Sequence, residues 1–389
     1  MAKKYLRPVK SFYSDTFRLG ILGGGQLGRM LLQETVNYDV RVAVLDPSID
    51  APCSQICHEF TCGSFNDYET VLAFGDGKDV LTVEIEHVNT DALEVLENKG
   101  VAVYPKPAFL RMVQDKGLQK EFYSKHSIPT APFRLIESAS ELQSSDIRFP
   151  FVLKARTGGY DGKGVQIIRQ TADLNGTFEG PCVVEELVPF VKELAVIIAR
   201  NKQGEMSTFP LVEMEFNPEA NLVEFLFSPA QVDHAIEQEA QEIARKIVEA
   251  ADFVGLLAVE LFLTKEGTLL VNEMAPRPHN SGHHTIEACT TSQYEQHLRA
   301  ILSLPLGNTN LIQPAVMVNL LGAAGHEGAV HYKGLEEAMQ MPGVHIHIYG
   351  KPTTKPFRKM GHVTVTDTDL TTAQEHARAI LKLIKVESC

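Results

Sequence analysis

Between Phe17 and Asp46 the chain alternates in a way that few folds can satisfy. FRLGIL reads as a short strand, GGGQLG as a tight turn, RMLLQETVNY as a helix with an apolar stripe, and VRVAVLD as a second strand. A strand, helix and strand joined this tightly pack as a layered α/β unit on a parallel sheet. VLTVEIEHV supplies a further strand near residue 84, and Pro105 and Pro107 mark a first boundary.

The pattern then changes. A helix containing Gln114-Asp115-Lys116 leads into the proline-bearing loop SIPTAPF, and the apolar runs FPFVLKA and VQIIR flank the glycine-rich TGGYDGKG. PCVVEELV and ELAVIIARN read as strands. A long helix is expected from Pro229 to about Asp252, capped by Ser228 and ended by Gly255. From about Leu311 come a helix, the strands VHIHIYG and GHVTVTD, and a closing helix from Asp369. The three blocks look like α/β, α+β and a small mixed tail.

Composition narrows the class. The 389 residues allow two or three domains, and no apolar run approaches the ~20 residues of a membrane span. Lys and Arg total 36 against 49 Asp and Glu, a net charge of −13 that argues against nucleic-acid or anionic-membrane partners. Six cysteines are too few for a disulfide scaffold, and Cys53, Cys57 and Cys62 match no usual zinc spacing. Residues 1–16 lack the apolar core of a signal peptide and read as an extension, so the expected address is the cytoplasm.

The chemistry-bearing residues fall in four places. Gly23-Gly24-Gly25-Gln26-Leu27-Gly28 fits G-x-G-x-x-G, either to hold phosphate on the helix amides or simply to make a tight turn. Asp46 ends the next strand, where a dinucleotide fold places its ribose-binding acid, so a nicotinamide-dependent oxidoreductase is one reading. Thr157 to Gly164 lies between two strands and fails the Walker pattern, which suggests a mobile flap whose amides and Lys163 close over phosphates, or a merely flexible hairpin. Lys154, inside an apolar run, requires an anionic partner.

The third place is AVELFLTKEGTLLVNEM, a strand, turn and strand. Symmetric pairing about Lys265 to Thr268 sets Glu260 opposite Glu273, with Cβ atoms roughly 5 Å apart. Like charges so close need a cation, and two carboxylates beside Asn272 suit Mg²⁺ completed by phosphate oxygens. The alternative is a pair of solvated surface charges. Downstream, Arg277, His279, Asn280 and Ser281 can bind an oxyanion, while His279, His283 and His284 could instead ligate zinc or simply pack. Fourth, Glu84 and Glu86 share one face of a strand end, as substrate contacts or as solvated charges.

Assembled, these residues resemble the ATP-grasp family, and within it the 5-(carboxyamino)imidazole ribonucleotide synthases of purine biosynthesis. The matching runs are ILGGGQLGRML, TVEIEHV, QDKGLQK, SIPTAPF, TGGYDGKG, VNEMAPRPHNSGH and RKMGH, in family order. The resemblance implies three domains: a Rossmann-like parallel-sheet domain over residues 17–112, an ATP-grasp domain over 113–310 with a flap at about 130–184, and a mixed C-terminal domain over 311–389. It implies ATP and Mg²⁺ as cofactors, with aminoimidazole ribonucleotide and bicarbonate as substrates, giving ADP, phosphate and the N-carboxylated ribonucleotide through carboxyphosphate. A homodimer is implied, and a separate mutase is expected to take the product, in place of the fused carboxylase domain of fungal relatives.

Carried over residue by residue, the resemblance gives Lys116, Lys154, Gly159, Tyr160, Asp161, Gly162, Lys163, Gly164 and Val165 to the ATP phosphates. Glu185, Glu186, Leu187 and Val188 would line adenine, Glu193 the ribose, and Glu260, Asn272 and Glu273 the metal. Gly25, Gln26, Leu27, Glu84, Glu86, Tyr160 and Asp161 would approach the ribonucleotide. Arg277, His279, Asn280, Ser281, Lys351 and Arg358 would hold carboxyl or phosphate oxygens, with Tyr160, Asp161, Arg277, His279, Asn280 and Lys351 as the catalytic set. Another ATP-grasp ligase, such as a formate-using glycinamide ribonucleotide transformylase, is the nearest alternative within the same resemblance.

Overall fold

The computed structural model describes residues 11–138, 141–142, 148–159, 164–217 and 222–389. Tyr160, Asp161, Gly162 and Lys163 lie outside the described residues.

The opening alternation folds as expected into a five-stranded parallel sheet. Its order is Glu59–Cys62, Val42–Asp46, Leu19–Leu22, Val80–Val83, Ala102–Val103. Successive residues point to opposite faces, so Leu19 and Ile21 join one core cluster and Leu22 another. On the first face the helix Gln26–Asn37 contributes Met30, Leu31 and Leu32, and the helix Gln293–Ile301 from the middle of the chain adds Tyr294, Leu298 and Ile301. The first and middle blocks therefore share a core. Phe12, in the expected extension, is buried in that same cluster.

The central sheet is antiparallel and has nine strands. Its main path runs Leu269–Ala275, Gly255–Thr264, Phe190–Arg200, Val212–Asn217, Leu222–Ser228, Ala315–Leu321, Lys359–Thr366, Val344–Ile348, with Met206–Thr208 beside Phe190–Arg200. The last three strands of that path belong to the C-terminal block. What reads in the sequence as a separate tail is continuous with the central sheet. A second, four-stranded antiparallel sheet orders Phe133–Ile136, Cys182–Glu186, Phe151–Ala155, Val165–Ile168. The glycine-rich stretch thus does join a hairpin, with Lys154 paired to Val165.

Four expectations need correction. The long helix runs His234–Ala250 behind Asp233, because LVEFLFS is a strand that pairs on both edges and ends at buried Ser228. Gly255 does not end that helix; at φ +124 it opens the next strand. The helix expected around Asp115 is two helices, Pro107–Gln114 and Lys116–Lys125, since Asp115 breaks the first and caps the second through Gly117 N and Leu118 N. Finally, the strand near residue 84 stops at Val83, so Glu84 and Glu86 lie beyond it rather than on one face of it.

Candidate active site

The hairpin carrying Glu260 and Glu273 lies at one end of the nine-stranded sheet, and those two residues are register partners. The simple symmetric pairing does not hold throughout. Leu263 pairs with Leu269, Phe262 with Leu270 and Leu261 with Val271, one residue out of that register. A bulge at Asn272 then restores it, so two residues oppose one. Val271 and Met274 both face the core cluster under the helix His234–Ala250, which leaves the consecutive Asn272 and Glu273 on the opposite, site-facing side. An unbulged strand could not present both.

Three lysines converge there from two other elements. Lys116 opens the helix after Asp115, and its Nζ lies 2.6 Å from Glu273 Oε2. Lys154, on the four-stranded sheet, donates to Asn272 Oδ1 at 2.9 Å and lies 3.1 Å from Glu185 Oε2. Lys120 sits one helical turn after Lys116, 3.2 Å from Glu185 Oε1 and 2.7 Å from Thr130 Oγ1. Glu185, expected to line adenine, is a buried carboxylate bridging two buried lysines. Such a triad is costly unless every charge is met. Thr130 in turn donates to Val271 O, so the proline loop is pinned to the bulged strand. Arg156 forks onto Asp115 at 2.9 and 2.7 Å, fastening the flap strand's end to the lysine helix. Lys120 is the residue sequence reasoning missed; the i, i+4 spacing from Lys116 in KGLQK was the available signal.

The electrostatics follow from crowding. Burial raises Glu193 to about 7, with Glu273 adding to the effect. Burial likewise raises Glu260, helped by the facing Glu273. Lys116 pulls Glu273 the other way and keeps it ionised, and at 44% side-chain exposure that carboxylate still meets solvent. Burial lowers Lys120 to about 8.

His279 is better defined than its sequence allowed. Its Nδ1 accepts from Ser281 N at 3.3 Å, so in the neutral ring the hydrogen sits on Nε2, which lies 3.4 Å from Glu260 Oε1. Burial, and then Arg277, lower its pKa to about 3. His279 is a neutral donor at physiological pH. Among the described residues no cluster of three or more His, Cys, Asp or Glu side chains is arranged for a metal. His283 instead meets Tyr294 and stacks on His362, and the six cysteines are free. Two facing carboxylates and an amide oxygen remain as a hard donor set, incomplete until phosphate or water oxygens join it.

The remaining predicted residues divide. Arg277 is forked onto Glu86 at 2.5 and 3.2 Å, and although burial alone would raise Glu86, this cation holds it at about 2. Arg277 therefore reaches the site as half of an ion pair. Lys351 donates to Gln26 Oε1 at 2.7 Å, bringing the C-terminal block to the glycine turn, and Arg358 donates to Thr353 O at 2.6 Å. The glycine turn itself is largely spoken for. Glu84 accepts from Gly25 N and Gly28 N at 2.9 and 3.0 Å, and Asp46 accepts from Gly24 N at 2.7 Å. Those amides are capped by the protein's own carboxylates, and Asp46, bonded inward, is not presented to a ribose. Gly159 and Gly164 flank the residues that lie outside the described ones, Glu186 is exposed at the end of the strand Cys182–Glu186, Leu187 is exposed just beyond it, and Val188 and Val165 are half-buried.

These features define an ATP-grasp enzyme: two antiparallel sheets meeting over a lysine-lined cleft, a glycine hairpin above and paired carboxylates below. Family models agree along the chain, with an ATP-grasp domain over residues 121–294, a ribonucleotide synthetase preATP-grasp domain over 17–114 and a phosphoribosylaminoimidazole carboxylase C-terminal domain over 315–376. The chain belongs to the N5-carboxyaminoimidazole ribonucleotide synthase family. The Bacillus subtilis synthase of that name is 40% identical over 355 residues, covering 89% of this chain and 90% of the relative. A chloroplastic phosphoribosylaminoimidazole carboxylase of Vigna aconitifolia is 40% identical over 94% of this chain, which spans only 66% of that longer protein. The Thermotoga maritima synthetase structure superposes with TM-score 0.89 at 44% identity, covering 96% of this chain and 100% of that one. An Aspergillus clavatus synthase, described in complex with ADP and 5-aminoimidazole ribonucleotide, gives TM-score 0.87 at 35% identity, covering 95% and 98%. The nicotinamide reading of the glycine turn is set aside.

Proposed function

We propose that the protein uses ATP and bicarbonate to carboxylate the amine of 5-aminoimidazole ribonucleotide, forming the N5-carboxyamino product, ADP and phosphate. The observation that carries this is the bulged hairpin: it presents Glu260, Asn272 and Glu273 together beneath Lys116, Lys120 and Lys154. That grouping matches a polyphosphate with its divalent cation, and little else of comparable charge.

A bicarbonate oxygen attacks the γ-phosphorus, the bond to the β-phosphate oxygen breaks, and ADP leaves. The amine nitrogen then attacks the carboxyl carbon of carboxyphosphate, the carbon–oxygen bond to phosphorus breaks, and phosphate departs with the electron pair as the amine gives up a proton. Lys116 and Lys154 offset phosphoryl charge, and Glu260, Asn272 and Glu273 would hold Mg²⁺, which spreads that charge when bound. His279, a neutral Nε2–H donor, orients rather than protonates, and Asn280 offers an amide to the carboxyl end. The glycine-rich stretch 159–164, with Tyr160 and Asp161, would exclude water from an intermediate that hydrolyses readily. Gln26, Lys351 and Arg358 face the ribonucleotide. Glu86 does so through its partner Arg277, whereas Glu84 supports the turn from behind.

The same reading includes a homodimer, a separate mutase consuming the product, and a cytoplasmic address. No described helix is long and apolar enough to cross a membrane. The test is paired measurement of phosphate release and fixation of labelled bicarbonate with ATP, Mg²⁺ and the ribonucleotide. Both outputs should require all components; phosphate release indifferent to the ribonucleotide, with no carbon fixed, would overturn the assignment.

A further inference from the structure

Asn280 is not held by its own loop. Its side-chain amide pairs reciprocally with that of Asn319, Asn280 Nδ2 donating to Asn319 Oδ1 at 2.8 Å and Asn319 Nδ2 donating back to Asn280 Oδ1 at 3.0 Å. Asn319 lies far along the chain, in the middle of the strand Ala315–Leu321, and is 1% exposed. An amide pair alone could exist with both groups flipped. Here it cannot, because the second Asn319 Nδ2 hydrogen goes to Val223 O at 2.8 Å, and a carbonyl accepts only. Val223 O thus fixes Asn319, and Asn319 fixes Asn280. One Nδ2 hydrogen and one Oδ1 lone pair of Asn280 are left for a ligand among the described residues, at positions set by the strand rather than by the loop.

We propose that Asn319 is a positioning residue for carboxyl transfer, acting through Asn280. The inference rests on the reading that the Asn280 amide orients the carboxyl end of the intermediate. Its backing is rigid: the strand pairs with Leu222–Ser228 on one edge and Lys359–Thr366 on the other, with Asn319 opposite His362. Among the described residues, this buried asparagine satisfies its polar atoms through Asn280 and Val223 O, and an apolar residue of similar size would fit the sheet more cheaply. The C-terminal block therefore contributes to the reaction from a residue that does not touch the reacting atoms.

The experiment compares Asn319→Asp and Asn319→Ser with the unaltered protein. Aspartate keeps the shape and accepts from Asn280 Nδ2, but donates neither to Asn280 nor to Val223 O; serine is too short to span both. Phosphate release, carbon fixed from labelled bicarbonate and KM for ATP are measured together, with melting temperature as the check on folding. In both variants phosphate released per carbon fixed should rise about five- to tenfold, the consequence of losing one oriented hydrogen bond, while KM for ATP stays unchanged. If the two outputs fall in proportion, or neither variant folds, Asn319 is only structural and the inference is wrong. If the unaltered protein fixes no carbon at all, the parent reading fails, and this inference with it.

Discussion

Lys116 Nζ sits 2.6 Å from Glu273 Oε2, so a prospective phosphate cation and a prospective metal ligand neutralise each other. Burial alone would lower the Lys116 pKa, but Glu273, with Glu185 and Glu260 behind it, raises it above the ordinary value. A nucleotide phosphate that draws Lys116 away would free Glu273 for a cation, so the two should bind in a coupled way. Isothermal calorimetry with Mn²⁺ alone should show weak binding to the unaltered protein and tighter binding to Lys116→Met. With ATP present the order should reverse. Equal Mn²⁺ affinity without nucleotide would show that the contact does not guard the metal site.

Asn272→Ala removes one of the two partners of Lys154, leaving Glu185 at 3.1 Å. A hydrogen bond to a charged group contributes ~1.5–3 kcal/mol, so the variant should lose about that much folding stability. Chemical denaturation measures it, and an unchanged midpoint would show that Glu185 alone holds the lysine.

Glu260→Gln and Glu273→Gln should each reduce turnover by about 10²-fold or more, as loss of a transition-state charge partner does. Stability should separate the two variants. Glu260→Gln relieves the repulsion with the facing Glu273, so thermal melting without ligands should not drop, whereas Glu273→Gln leaves Lys116 without its 2.6 Å partner and should lower it.

The raised pKa of Glu193 gives a pH test. Its value is about 7 in the folded protein against an ordinary 4.5, so the folded state binds the proton more tightly. Its stabilising contribution is complete below pH 4.5 and is lost as pH rises through 7. Glu193→Gln should therefore raise the melting temperature of the ligand-free protein at pH 8 and change it little at pH 4.5. A gain confined to acid pH would contradict the assignment.

Glu84 caps two amides of the glycine turn from an adjacent loop. Glu84→Ala strands both amides and should cost ~2–4 kcal/mol, about 1–2 for each. Chemical denaturation would measure that loss, and an unchanged midpoint would return Glu84 to the candidate substrate contacts.

How much of this was legible in the sequence depended on whether a residue answers to its neighbours or to distant chain. The parallel sheet, the flap hairpin and the Glu260–Glu273 opposition follow from local periodicity and turn chemistry. Even there the opposition came from the wrong count: the pairing near the turn is shifted by one, and the bulge at Asn272 supplies the missing residue. Ser228 looked like a helix cap because Ser-Pro before a polar amphipathic run is a capping pattern, yet the strand pairs formed with residues 212–217 and 315–321 claim it. Glu84 and Glu86 look equivalent in TVEIEH, and only the fold turns one to the glycine amides and the other to Arg277, 191 residues away. Nor could any local pattern join Asn280 to Asn319 or the C-terminal strands to the central sheet, since those contacts are tertiary.

The central claim, that this site uses ATP to activate bicarbonate, is tested most directly by following oxygen. With bicarbonate labelled in ¹⁸O, and the ribonucleotide and ATP unlabelled, attack on the γ-phosphorus carries one bicarbonate oxygen into the phosphate released. Mass spectrometry of that phosphate should show one heavy atom per molecule in proportion to carbon fixed. Unlabelled phosphate accompanying carboxylated product would mean that water, not bicarbonate, attacks ATP, and would contradict the account.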